Sequence, residues 1–376
     1  MVEQSDSGLL RDLYAGTDSC VYLDVAAVGL ISSGVQGAMR DVATDHEHRG
    51  MSAFGGWADV VDRTRVKIGQ LVGGGAERVA FTQNTSTGLA MVANGIAWSA
   101  GDNVVVPAQE FPSNFYPWLQ LRRLGVEVRE VPMRDGHARL DLLGGLIDDR
   151  TRVMAISAVQ YSSGFRYDLA RLGERLRACG ALFVVDATQA LGAMVVEADA
   201  WNVDVLAVSA HKWMLGPLGI AFVHLSERAM NTLEPSVMGW MSVESPFDMD
   251  HEPRVAHDGR RFESGTMNIS GIAGLEVAID HVLTLGRERV ECHILDRTED
   301  LVGRLQGHGW TVLRDDRRRA WSGIVMATSG GDDAEMYERL QSAGVRCSLR
   351  RDTLRFSPHY YTSTGDIDDL ERVIRA

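Results

Sequence analysis

Through the middle of the chain, short apolar runs alternate with stretches of helix-like spacing. Apolar runs at 78–82, 103–107, 127–131, 153–158, 182–185 and 205–208 predict strands, and helical patterns lie between several of them, at 87–96, 113–124 and 169–179. This alternation predicts an α/β fold with a mainly parallel sheet covered on both faces. Upstream, a mixed segment at 9–29 reads as an arm packed on the main body, and helices follow at 34–46 and 57–72. Downstream, periodicity is lost over 238–261, which predicts a long active-site loop. Helical spacing returns at 271–292. A smaller α/β unit then closes the chain, with helices at 299–307, 334–344 and 364–375 and strands at 310–314, 323–327, 345–349 and 353–357. Ser363 and Asp366 fit a capping box for the last helix. The expected organisation is an arm (1–30), a large domain (31–270) and a small C-terminal domain (271–376).

Composition narrows the function. The 376 residues carry a formal net charge of −13, which argues against a nucleic-acid surface, and the basic triplet Arg317-Arg318-Arg319 reads as a solvated loop. Four cysteines lie far apart with no CxxC pair, which points to a reducing compartment without disulfides or structural zinc. The first seven residues are polar and no apolar run is long enough to span a bilayer, so a cytoplasmic protein without a membrane segment is expected. His46-Glu47-His48 lacks a further ligand at helical spacing and reads as an exposed helix end, so no metal is expected. Gly73-Gly74-Gly75 precedes a strand, where a nucleotide fingerprint should follow one.

The chemistry gathers where strands end, the place where open α/β sheets bind ligands. After 78–82 come Thr85, Ser86 and a helix start, a combination suited to phosphate. Phe111 follows 103–107 and can stack on a flat ring. Asp186 directly follows four apolar residues, so it needs a cationic or N–H partner. Ser209, His211 and Lys212 follow 205–208, and a partly desolvated lysine there suits imine chemistry. Each has an ordinary structural explanation alone: an N-cap, a core ring, an ion pair, a snorkelling lysine. Together they are the set that pyridoxal phosphate requires.

Asp186-Ala187-Thr188-Gln189, Ser209-Ala210-His211-Lys212 and Leu354-Arg355-Phe356-Ser357-Pro358-His359 resemble the fold-type-I pyridoxal phosphate enzymes of aminotransferase class V. The similarity is greatest to the cysteine desulfurase-like, kynureninase-like and isopenicillin N epimerase-like branch. The resemblance implies that Lys212 forms the imine with the cofactor and Asp186 pairs with its pyridine nitrogen. It implies that Gln189 contacts the ring hydroxyl and that Phe111 stacks on the ring, where desulfurases use a histidine. Thr85, Ser86, Ser209 and His211 would hold the phosphate, and Arg355 the substrate carboxylate. Thr266, in Glu263-Ser264-Gly265-Thr266, resembles the residue given to the phosphate of the neighbouring subunit, which implies a homodimer with shared active sites.

Two departures matter. Desulfurases carry a nucleophilic cysteine on a mobile loop ahead of the arginine, whereas Cys347 here alternates with Val345 and Leu349 and reads as a core thiol. Tyr161 stands where desulfurases have an asparagine. The reading is therefore a pyridoxal phosphate enzyme acting on an α-amino acid through a Cα carbanion. β-Elimination of the C–S lyase type, without a catalytic cysteine, is placed first. A class V aminotransferase and an epimerase are the alternatives, and a catalytically silent cofactor-binding protein is the non-enzyme rival.

Overall fold

The structure is a computed structural model and describes residues 8–375; the polar heptapeptide at the N-terminus lies outside them. After β1 (Val21–Tyr22), α1 (Ser33–Arg49) and α2 (Phe54–Val72) lead to β2 (Val79–Thr82), α3 (Thr85–Gly95) and β3 (Asn103–Pro107). The short α4 (Tyr116–Leu119), β4 (Glu127–Val131), a small hairpin of β5 (Met133–Arg134) and β6 (His137–Ala138), and α5 (Leu140–Gly145) follow. Then come β7 (Thr151–Ser157), α6 (Leu169–Arg177), β8 (Leu182–Asp186), β9 (Val205–Ser209), β10 (Ala221–Leu225) and α7 (Glu227–Thr232). The C-terminal third holds α8 (Ile269–Leu285), α9 (Arg287–Gly307), β11 (Thr311–Leu313), β12 (Val325–Thr328), α10 (Asp333–Ser342), β13 (Val345–Arg346), β14 (Ser348–Arg350), β15 (Thr353–Phe356) and α11 (Thr364–Arg375).

Seven strands form the main sheet in the order β2-β10-β9-β8-β7-β3-β4. All pairs are parallel except those of β10, which runs against both neighbours. Every residue of β2, β3, β8, β9 and β10 is buried, which is why these strands are continuous apolar runs. One face packs under α3 and the other under a layer that includes α2, α6 and α8. A second sheet, β11-β12-β15-β14, carries its own apolar cluster with α9, α10 and α11.

Three expected elements differ, each for a local reason. The helix expected at 113–124 breaks into a 3-10 turn (Pro112–Asn114), α4 and a second 3-10 turn (Gln120–Leu124), because Pro112 and Pro117 offer no N–H to a continuous helix. The helix expected at 271–292 is two, parted at Gly286 with φ of 87°, and α9 absorbs the separate helix expected at 299–307. The strand expected at 345–349 parts at Cys347: β13 pairs with β1 in parallel, β14 with β15 antiparallel. The Ser363–Asp366 capping box is present in both directions. His46, Glu47 and His48 lie exposed at the end of α1, as expected.

The N-terminal segment ties the two sheets together. Beyond β1, Asp24 bridges to Ser357, and its carboxylate accepts from Ser348 Oγ at 2.6 Å. Gly29 N donates to His211 O, and a Cβ at Gly29 would lie 2.4 Å from Lys212 O, so only glycine lets the arm run this close.

Candidate active site

Because β2, β3, β8 and β9 run the same way, the residues after them converge at one edge of the sheet. Register places Ser157 opposite Asp186 and Asp186 opposite Ala207. The edge opens on a cavity of about 380 Å3, and all the expected site residues except Thr266 line it. Thr266 lies instead in a separate cavity of about 400 Å3 with Gln83 and Thr87. The expected active-site loop at 238–261 does not line the Lys212 cavity within one chain either; it holds exposed Trp240, Phe247 and Met249 at the surface.

At one end of the cavity, Asn84 caps α3 by accepting from Thr87 N at 2.9 Å. Thr85 Oγ1 lies 2.7 Å from both Ser209 Oγ and Thr188 Oγ1, and Thr85 N donates to Ser209 Oγ. Ser86 Oγ donates to Ser113 Oγ at 2.7 Å. A helix start surrounded by hydroxyls is an anion site. His211 is half-buried beside it, and burial first, then the charge of Lys212, hold its imidazole below the usual histidine range.

Asp186 is 5% exposed and accepts from Thr188 N at 2.9 Å. Burial raises its pKa, against the Thr188 donors and the charge of Lys212. No cation among the described residues is within ion-pair distance of it. It is thus a buried carboxylate ready for a cationic N–H. Next to it, Glu110 accepts from Ser157 N at 2.7 Å and Ser157 Oγ at 2.5 Å, and burial pushes its carboxyl up to about 7.

Lys212 Nζ stands 5.2 Å from the Phe111 ring centroid and makes no hydrogen bond or ion pair among the described residues. Burial brings its amine down to about 8, with Asp186 opposing the shift. Phe111 in turn meets Tyr161 edge-on at 5.3 Å. Gln189 is held on both sides: Trp213 Nε1 donates to its Oε1 at 2.7 Å, and its Nε2 donates to Ala26 O at 3.0 Å. Across the cavity, Arg355 is 2% exposed, with Nη2 3.3 Å from Ser348 Oγ and 3.5 Å from Asp24 Oδ1. Burial lowers its pKa to about 10, and its Nε has no partner. A buried guanidinium so lightly engaged is suited to a carboxylate.

The hydroxyls at α3, the aromatic plate, the unneutralised Asp186 and the unpaired amine fit pyridoxal phosphate, a flat cation-bearing ring with an anion and an aldehyde. Ser113, Thr188, Glu110, Asp24 and Arg350 also belong to this neighbourhood. The first three stood beside motif residues in the sequence; Asp24 and Arg350 are brought in only by the fold. A larger cleft of about 1030 Å3, lined by Arg139, Arg171 and Arg175 among others, lies away from Lys212 and contains none of these groups.

A family model described as aminotransferase class V matches residues 21–370. A probable cysteine desulfurase of Methanothermobacter thermautotrophicus is 33% identical over 393 aligned residues, covering 97% of this chain and 94% of that protein. Among solved structures, the apo cysteine desulfurase of Thermococcus onnurineus NA1 superposes with a TM-score of 0.88 at 25% identity, over 97% of this chain and 96% of that one. The cystine C–S lyase C-DES, solved with its product cysteine persulfide, has the same fold, with a TM-score of 0.88 at 21% identity over 96% and 98% of the two chains. With this match along nearly its whole length, the chain belongs to the aminotransferase class V family of fold-type-I pyridoxal phosphate enzymes.

Proposed function

We propose that the protein is a C–S lyase that eliminates the sulfur substituent from a cysteine-derived amino acid without using a cysteine of its own. The observation that carries this reading is the position of Cys347. It is 4% exposed, sits with Leu354, Phe356 and Ile367 in the core of the small sheet, and burial pushes its thiol up to about 12. A persulfide-forming cysteine must meet substrate as a thiolate. Cys347 does not line the cavity and its burial disfavours the thiolate, and none of Cys20, Cys179 and Cys292 lines the cavity. The desulfurase relatives support cysteine-type substrates; without an accepting thiolate, the sulfur leaves to solvent.

Once bound, the cofactor supplies an aldehyde to capture the substrate amine and a ring to take up the electron pair left at Cα. Lys212 holds the cofactor covalently between turnovers and then takes the Cα proton, for which its depressed pKa suits it. Arg355 binds the α-carboxylate with the donors that Asp24 and Ser348 leave free. Asp186 keeps a proton on the ring nitrogen, Gln189 meets the ring hydroxyl, and Thr85, Ser86, Ser209 and His211 hold the phosphate. As the Cβ–S bond breaks, sulfur leaves with the electron pair and gains a proton. The three-carbon enamine would leave as the Lys212 amine takes the cofactor back, and water would hydrolyse it, so that an S-substituted cysteine and water become a thiol, pyruvate and ammonia.

The test follows products from cysteine, cystine and S-substituted cysteines. Pyruvate and ammonia should appear in equal amounts with sulfide from cysteine, cysteine persulfide from cystine or the thiol from an S-substituted cysteine, with no keto acid added, and Cys347→Ala should keep turnover within about twofold, as for a packed residue outside the site. Turnover that stalls until a keto acid is supplied would make the enzyme an aminotransferase. A dead Cys347→Ala, with persulfide on Cys347 in the parent, would make it a desulfurase.

The active form in this proposal is a homodimer, with Thr266 of each subunit serving the other's phosphate site. Exposed Trp240 and Phe247, which meet edge-on with centroids 5.6 Å apart, supply an apolar surface for it. The arm (1–30), large (31–270) and small (271–376) units belong to the same reading, with α8 the part of the third that packs on α1 and α2. Four free cysteines support a cytoplasmic setting; among the described residues no single helix is long and apolar enough to cross a membrane.

A further inference from the structure

Two contacts fix which way the Gln189 amide lies. Trp213 Nε1 stands 2.7 Å from its Oε1, and Ala26 O stands 3.0 Å from its Nε2. An indole N–H can only donate and a backbone carbonyl can only accept. The amide oxygen must therefore meet Trp213 and the amide nitrogen must meet Ala26. Turned over, the amide would set two acceptors together at Ala26 and donors together at Trp213. With both flanks held, it keeps one N–H for a ligand in the Lys212 cavity, whose wall it forms together with Ala26.

Trp213 is itself held from the far side. It is fully buried, and its ring lies 5.6 Å from that of His359 at an angle of 30°. His359 Nε2 lies 2.8 Å from Trp213 O. A Cβ at Gly323 would fall 2.2 Å from Cη2 and 2.5 Å from Cζ3 of the indole, so the six-membered edge rests on that glycine. Gly323 precedes β12 and His359 follows β15. The small sheet thus abuts one end of the indole while Gln189 takes the other. None of Trp213, Gly323 and His359 lines the Lys212 cavity.

We infer that Trp213 is a positioning residue: by holding the amide oxygen it makes Gln189 a hydrogen-bond donor to the ring oxygen of the cofactor, and the small sheet keeps it in place. The inference rests on the assignment of Gln189 to the ring hydroxyl, and it is independent of which bond the enzyme breaks. A donor at that oxygen favours the anionic form. Loss of the proton from the Lys212 imine leaves negative charge on the ring oxygen, so the donor eases that loss and holds the midpoint of the titration down. Without the Trp213 N–H, only Ala26 orients the amide.

A pH titration of the bound cofactor's absorbance, on the loaded enzyme without substrate, reads that proton and not turnover. Trp213→Phe keeps an aromatic ring and deletes the N–H. It should raise the midpoint by about one pH unit, the size of one lost hydrogen bond. Gln189→Leu should raise it at least as far, and the double variant no further than Gln189→Leu, because the two residues act through one contact. Gly323→Ala adds a methyl group outside the cavity, displaces the indole and should move the midpoint the same way. Trp310→Phe alters another buried indole, in the core of the small sheet, and should leave the midpoint where the parent has it. A parent-like midpoint in Trp213→Phe beside a raised one in Gln189→Leu would overturn the Trp213 role and keep the ring contact. Additive shifts in the double variant, or an equal shift in Trp310→Phe, would overturn that role as well. A parent-like midpoint in Gly323→Ala would overturn the part given to the small sheet. One in Gln189→Leu would remove the ring contact itself, and the Trp213 role with it.

Discussion

Replacing Lys212 by alanine should abolish covalent retention of the cofactor and lower turnover by about 10⁴-fold or more, as expected when a covalent anchor and a general base are lost together. The chain makes this an unusually clean experiment, because it has only two lysines against 36 arginines. The other, Lys67, is tied to Glu276 and Asp280 at 2.9 and 2.7 Å, beside α8. Borohydride reduction of the parent followed by peptide mapping should therefore place the cofactor on Lys212, and the Lys212→Ala protein should give no labelled peptide. Label on Lys67 would move the site.

Asp186→Asn should cost about 10³-fold in turnover while changing cofactor affinity far less. Asparagine keeps the shape and can still accept from Thr188 N, but removes the charge that the proposed role of Asp186 requires. The phosphate end, with its hydroxyls and α3 start, is untouched. A pH titration of the bound cofactor's absorbance should show the ring proton released at lower pH in the variant. Turnover near that of the parent would mean that this carboxylate does not serve the ring. Glu110 would not replace it: its carboxylate oxygens are occupied by Ser157.

Much of this arrangement was legible because a parallel strand buried on both faces is one apolar run that stops abruptly. Asp186 and Ser209 are the last residues of their strands and Lys212 follows closely, so local sequence alone places them at one edge. Features that depend on partners distant in sequence were not legible. Alternation over 345–349 read as one strand, since pattern does not register that β13 and β14 pair with different neighbours. Gly286, Pro112 and Pro117 set local breaks that the surrounding helical spacing concealed. Arg350 offered no signal either, because only the pairing of β14 with β15 brings it to the wall of the Lys212 cavity.

The arm also sets an order of events during synthesis. The Asp24–Ser348 contact that steadies Arg355 joins residues 324 positions apart. At about 5–20 residues per second, the ribosome needs roughly 16 to 65 seconds to supply the second after the first. The residues from Asn84 to Lys212 are all made well before that. On the roles proposed for these residues, a nascent chain would carry the groups that hold the cofactor before it carries those that grip an amino acid, which would delay reactive chemistry until the polypeptide is nearly finished. Chains stalled after α9 should retain the cofactor and give no spectral response to amino acids, whereas a response would show that the clamp is not needed for substrate to engage.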